Sequence, residues 1–186
     1  MPGARSSQRR ARVLNTTKMF RGPVFEVVRE TVLEPGGIRA TRDIVVHSGS
    51  VVVLPVFVGG RVLLIRQYRH AVGGSLWELV AGRKELDESP VAAARRELLE
   101  ETGYTARRLR KLLDVYPTPG FVSERMWVFA AEGLTEGPAQ PEEDERIVPR
   151  VFTLRQVDAM IRRGKLQDAK SVAGLLYYMR YTQRGR

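Results

Sequence analysis

The stretch Gly82-Arg83-Lys84-Glu85-Leu86-Asp87-Glu88-Ser89-Pro90-Val91-Ala92-Ala93-Ala94-Arg95-Arg96-Glu97-Leu98-Leu99-Glu100-Glu101-Thr102-Gly103-Tyr104 decides how the rest of the chain is read. Its second half carries helix signals at both ends. Ser89 suits an N-cap and Pro90 the first helical position. Gly103 suits the left-handed residue that ends a helix. At about 100° per residue, Glu97, Glu100 and Glu101 fall within roughly a 100° arc of one face. Ala93 shares that arc and leaves room beside it, while Val91, Ala94 and Leu98 form a neighbouring apolar stripe. Three carboxylates thus crowd the end of a helix where the macrodipole already presents about −0.5 charge. Glu97 and Glu101 also repel each other at i,i+4. Two arrangements relieve the conflict: a divalent cation on the carboxylate oxygens, or a solvated acidic face balanced by Arg95 and Arg96.

Composition narrows the chemistry. The chain has 186 residues, 43% hydrophobic and 28% charged, enough for one compact domain or one domain with a small appendage. It has no cysteine, which excludes disulfides, thiolate nucleophiles, Cys-ligated zinc and iron–sulfur clusters. His47 and His70 are its two histidines, so a multi-His metal site is excluded. Any metal must sit on oxygen ligands, which points to Mg²⁺, with Mn²⁺ as the alternative. The longest apolar run, residues 51–58, is far short of the ~20 residues of a membrane span. Residues 1–13 carry arginines without an apolar core, so no secretory signal is expected and a cytoplasmic location is. The net charge is +10, from 31 basic and 21 acidic residues. It suits nucleic acid, a phosphorylated small molecule, or simply solvated ends, since Arg5, Arg9, Arg10 and Arg12 lie at one end and Arg180, Arg184 and Arg186 at the other.

Along the chain, residues 1–15 read as a flexible basic tail. Residues 24–33 and 38–44 alternate around Pro35-Gly36-Gly37, which predicts a hairpin. Two strands alone are marginal in water, so this hairpin needs a partner. A second hairpin, residues 51–58 and 61–67, turns at Gly59-Gly60. Its first strand is apolar throughout and should be buried on both faces, and Pro55 argues for an edge or a bulge. Strands are expected over 109–116 and 126–131, an acidic loop over 135–146, and helices over 154–163 and 169–181. The pattern predicts an α+β layered domain. The expected boundaries are a tail (1–15), an N-terminal β-hairpin subdomain (16–47) and a main domain (48–186).

Gly82, Glu88, Arg96, Glu97, Leu98, Glu100, Glu101 and Gly103 together resemble the signature of the Nudix hydrolases: Gly, five residues, Glu, seven residues, Arg-Glu, a bulky apolar, any residue, Glu-Glu, any residue, Gly, a bulky apolar. Tyr104 departs from it mildly, standing where an aliphatic residue is commonest. Seven specified polar or Gly positions would coincide by chance on the order of once in 10⁸ registers. Arg66-Gln67-Tyr68-Arg69, Trp77-Glu78-Leu79-Val80-Ala81-Gly82 and Tyr116-Pro117-Thr118-Pro119-Gly120 are similar to the ADP-ribose pyrophosphatase branch. So are the 16-residue spacing from Gly103 to Pro119 and the closing Gly164-Lys165-Leu166-Gln167-Asp168-Ala169-Lys170-Ser171. GDP-mannose hydrolases share much of these flanks.

The resemblance implies an α/β/α sandwich with a mixed sheet, preceded by a small N-terminal antiparallel sheet. It implies Mg²⁺-dependent hydrolysis of the pyrophosphate of ADP-ribose, giving AMP and ribose 5-phosphate, with a GDP-mannose-type or broad nucleoside-diphosphate-sugar hydrolase as the alternative. Glu97, Glu100, Glu101 and the carbonyl of Ala81 match the metal ligands. Arg96 and Glu88 match a supporting pair, and Gly82 and Gly103 support the motif. Glu145 best matches a general base on a loop, with Glu142 and Glu143 as substitutes and a motif glutamate such as Glu100 as the other option. Arg69 and Arg42 are assigned to substrate phosphates. Glu78 is assigned to the ligand side near the metals or terminal ribose, and Glu124 to the distal ribose. His70, Trp77 and Trp127 are read as packing residues. A homodimer exchanging the N-terminal sheet would give the first hairpin its partner. The different-class alternative is a basic RNA-binding regulator on a degenerate hydrolase fold. The arginines lack aromatic interleaving and a helix-turn-helix pattern, so nucleic acid is not the expected partner.

Overall fold

The computed structural model describes residues 10–139 and 146–182. They form two compact units: residues up to 47 with 118–124, and residues 48–117 with 125 onward.

The first unit is an antiparallel sheet of β1 (Arg12–Arg21), β2 (Glu26–Glu34) and β3 (Ile38–Val46), in that order. The predicted hairpin is β2–β3, and its turn places Gly36 and Gly37 at φ 86° and 82°, where a side chain would be strained. The strand β1 corrects the sequence reading: it begins at Arg12, inside the segment read as a tail. Its register shifts between Val13 and Asn15 and between Lys18 and Phe20. Those irregularities break the period-2 pattern by which a strand is recognised. Residues 118–124 join this unit through Val45, whose N–H donates to the Phe121 carbonyl at 2.8 Å and whose carbonyl accepts from Ser123 N–H at 2.9 Å.

The second unit is built on a mixed sheet of seven strands: β4 (Ser50–Phe57), β5 (Arg61–Arg69), β6 (Gly74–Glu78), β7 (Val80–Arg83), β8 (Tyr104–Val115), β9 (Met126–Glu136) and β10 (Ile147–Thr153). The main order is β10-β5-β4-β9-β8, with β6 beside β5 and β7 beside β4. The β4–β9 pair is parallel and the others antiparallel. Three helices cover it: α1 (Pro90–Thr102), α2 (Leu154–Arg162) and α3 (Ala169–Tyr181). Successive β4 side chains serve opposite cores. Val51 and Val53 pack with Leu63, Ile65 and Phe129 under Ala93, Ala94 and Leu98 of α1. Val52 and Leu54 pack with Leu64, Leu79 and Val128 under Val157 of α2 and Leu175 and Tyr178 of α3. Each such fully buried aliphatic contributes about 1.5–3 kcal/mol. This two-sided burial makes the α/β/α sandwich expected from the sequence.

Three details differ from the sequence reading. Burial in the apolar run stops at Pro55, and Val58 at the hairpin tip is 95% exposed. Pro55 lies in an interior strand rather than at an edge. On one side β4 pairs with β5 through Val56 and Phe57, then with β7 through Ser50–Val53, so Pro55 falls in the gap between those ladders. In α1 Ala93 is buried together with the expected Ala94 and Leu98 while Val91 is exposed, because the helix also turns its Ala93–Glu97–Glu101 face inward. Among the described residues no helix is long and apolar enough to cross a membrane.

Ser89 caps α1 by accepting Ala92 N–H at 3.1 Å. Gly103 ends it at φ 74°, donating to the Leu99 carbonyl, and a Cβ there would stand 2.3 Å from the Gly137 carbonyl oxygen. Gly103→Ala is therefore expected to lower unfolding free energy by about 1–3 kcal/mol, read from urea denaturation, with the native fold retained.

Candidate active site

Arg96, in the middle of α1, gathers the acidic residues around it. Its Nε and Nη2 fork onto the Glu88 carboxylate at 3.1 and 3.0 Å. Its Nη1 donates to Glu97 Oε1 at 2.7 Å and Glu100 Oε2 at 2.9 Å, and Nη2 also reaches the Arg83 carbonyl at 3.0 Å. The expected Arg96–Glu88 pair is thus one part of a larger cluster. The Glu88 fork, joined by Glu97 and Glu100, raises the guanidinium pKa further above its already high value. The same fork holds the Glu88 carboxyl below the usual carboxylate range. Lys84 completes the loop from inside, donating to the carbonyls of Glu85, Leu86 and Glu88 at 2.6, 3.2 and 3.1 Å. The sequence reading gave Lys84 no role, since a lysine that binds only backbone leaves no pairing pattern in the sequence.

The carboxylates of Glu97 and Glu101 face β7. A Cβ on Gly82 would lie 2.0–2.2 Å from the Glu97 carboxylate, so only glycine admits it. Ala81 N–H donates to Glu101 Oε2 at 3.3 Å. Both carboxylates are buried, and Glu100 is partly open. The donor set is all oxygen, with three carboxylates and a backbone carbonyl within reach of one strand–helix seam, and it fits a hard divalent cation. Among the described residues no three acidic side chains are yet gathered on a single point. Arg96 Nη1 instead bridges one oxygen each of Glu97 and Glu100.

A basic counterpart lies next to this acidic seam. Arg69 forks onto Glu78 through Nε and Nη2, each at 2.8 Å. Lys170 donates to the same carboxylate at 2.5 Å. Glu78 is 1% exposed and lies beneath Arg69, with both oxygens engaged. Burial pushes the Glu78 carboxyl up, but the Arg69 fork and Lys170 outweigh it and hold it below the usual range. Glu78, and more weakly the charges of Glu101 and Asp168, raise the Arg69 guanidinium. Arg69, 38% exposed, keeps Nη1 outside the pair.

Arg42 belongs to the first unit and pairs with Glu34 at 2.8 Å. Glu124 belongs to the same unit, 3.8 Å from His47 Nδ1. Glu145, like Glu142 and Glu143, lies outside the described residues. Trp77 packs edge-on against Phe152 with ring centres 5.0 Å apart, as a core residue does.

Comparison with known proteins places this geometry in a family. The NUDIX domain model matches residues 46–175, and the chain belongs to that family of hydrolases. Among curated relatives, an "ADP-ribose pyrophosphatase" of Bacillus subtilis is 36% identical over 86% of this chain and 88% of its own. A "Methanol dehydrogenase activator" of Bacillus methanolicus is 32% identical over 89% and 91%. A "GDP-mannose pyrophosphatase" of Citrobacter koseri is 40% identical over 62% and 65%. The crystal structure of an "ADP compounds hydrolase" superposes with a TM-score of 0.82 at 22% identity, over 97% of this chain and 98% of the other, and shares its fold.

Two outcomes test the site. An added divalent cation should raise the melting temperature of the wild type, and Gly82→Ala, which displaces Glu97, should remove that rise, measured with and without the ion. The depressed carboxyls of Glu78 and Glu88 contribute stability that is complete above the unfolded value of about 4.3 and is lost as pH falls through their lower folded values. Unfolding free energy should therefore drop below about pH 5, and Glu88→Gln should flatten that acid slope in a denaturant titration.

Proposed function

We propose that the chain is a Mg²⁺-dependent pyrophosphohydrolase that splits ADP-ribose into AMP and ribose 5-phosphate. The observation that carries this is the nearness of two centres on one strand segment: the carboxylates of α1 against Ala81 and Gly82, and the Arg69 guanidinium on Glu78, three residues before Ala81 and within the field of Glu101. The names of the Bacillus subtilis and Mycobacterium tuberculosis relatives support the substrate. Glu97, Glu100, Glu101 and the Ala81 carbonyl would hold the cation, which when bound neutralises the diphosphate and acidifies water. Arg69 docks diphosphate oxygens, for which a planar fork is well matched. Arg96 orients Glu97 and Glu100. Glu145 takes the proton of the attacking water as the new P–O bond forms and the bridging P–O bond breaks, leaving the pair of electrons on the departing phosphate.

The chain acts as a homodimer in this proposal, in the cytoplasm. All ten residues of β1 are exposed, among them Val13, Leu14, Met19 and Phe20, and an uncovered sheet face of that kind is suited to a second copy. Sedimentation equilibrium should give twice the chain mass.

A GDP-mannose hydrolase is the second reading, favoured by the Citrobacter koseri relative. Purified protein with Mg²⁺ should turn over ADP-ribose faster than GDP-mannose, and the reverse order would reassign the substrate. Glu101→Gln should cut kcat by roughly 10²–10³ while leaving the melting temperature equal or slightly higher, since like-charge repulsion is relieved. Glu145→Gln should lower kcat by roughly 10²–10⁴ with the Mg²⁺ requirement unchanged, and wild-type turnover would return the base role to Glu100.

A further inference from the structure

Lys170 breaks a local rule. It is the second residue of α3, where the helix dipole disfavours a cation, yet its side chain is 12% exposed and turned inward. Two carboxylates account for that: Glu78 at 2.5 Å and Asp168 Oδ1 at 2.9 Å. Asp168 is itself the N-cap of α3, accepting Ser171 N–H at 3.1 Å and the Ser171 hydroxyl. That hydroxyl accepts Leu79 N–H at 2.6 Å. The start of α3 is thereby pinned to the junction between β6 and β7, immediately before Ala81 and Gly82.

The charges explain what the arrangement accomplishes. Glu78 is buried, so its charge must be balanced by protein rather than water. If Arg69 were its sole partner, the guanidinium charge would be cancelled within the pair, and an arriving diphosphate would meet a neutral couple. Lys170 supplies the balancing charge instead. Asp168, which fixes Lys170, has about half of its own charge offset by the α3 N-terminus, worth about +0.5 charge. The surplus positive potential is left on Arg69, whose Nη1 is outside the fork.

We infer that Lys170, held by Asp168, is a positioning residue: it neutralises Glu78 so that Arg69 stays oriented and keeps its positive charge for the substrate's diphosphate. This rests on the proposed role of Arg69. Lys170 acts through Glu78 and touches no substrate.

The test compares KM, kcat and melting temperature for wild type, Arg69→Ala, Lys170→Met, Lys170→Arg and the double variant Lys170→Met/Glu78→Gln, with ADP-ribose and with GDP-mannose. Both substrates present a diphosphate, so the comparison holds whichever is preferred. Lys170→Met should raise KM about tenfold while kcat stays within about threefold, because ground-state docking of phosphate is what weakens. Lys170→Arg should recover most of the loss. Glu78→Gln in the Lys170→Met background should also recover KM, although it removes one more ion pair, and a merely structural Lys170 would make the double variant worse. If Lys170→Met does not fold, the double variant carries the test, with KM expected near wild type. An unchanged KM in folded Lys170→Met, or a double variant worse than the single, overturns the inference. If Arg69→Ala leaves KM unchanged, or neither substrate is turned over, the underlying reading falls and this role falls with it.

Discussion

Carboxylates at positions 97, 100 and 101 repel one another and the negative end of their own helix, and that repulsion weakens α1 unless it is met. A single guanidinium does most of this. Arg96 spans Glu88, Glu97, Glu100 and the Arg83 carbonyl, so it ties the acidic face to the loop that precedes the helix. Individually, part-exposed ion pairs contribute up to about 1 kcal/mol each. Their shared donor makes them act together, with the loop, the helix start and the carboxylates ordered by one side chain. The helix is thus stable without a cation while its carboxylates remain suited to one.

Precision at that face comes from the sheet beneath it. β7 pairs with the buried first half of β4, and α1 packs on both. Ala93 and Gly82 are small where the helix and strand approach, and the missing Cβ of Gly82 is the space that the Glu97 carboxylate fills. On the far face, α3 reaches the same strand junction through Ser171 and Lys170. The five residues from Glu78 to Gly82 therefore carry a basic cluster at one end and an acidic cluster at the other. A diphosphate requires that combination: cations for its oxygens and carboxylates for the metal that accompanies it.

The two units show different degrees of legibility. In the second, β4 reads as a two-faced strand and α1 as a capped helix because burial and capping each demand particular residues at fixed spacing. In the first, β1 is exposed throughout and its register slips twice, so nothing in its composition requires a strand. The site divides similarly. Glu88, Arg96, Glu97, Glu100 and Glu101 are close in sequence, and a helix brings them together whatever surrounds it. Lys170 lies 92 residues from Glu78, and no local pattern pairs them.

What the amino-acid order determines by itself is the local geometry: the caps of α1, the spacing of its carboxylates, and the apolar run that makes β4 a central strand. Short-range hydrogen bonds and periodicity are enough for these, because each depends on neighbours within about one helical turn or one strand. Only the tertiary structure decided that Glu78 is buried beneath Arg69, that Ala93 rather than Val91 enters the core, and that Lys170 shares the Glu78 carboxylate. Those outcomes depend on which distant surfaces meet, and a buried charge takes its partner from whatever element the packing places against it.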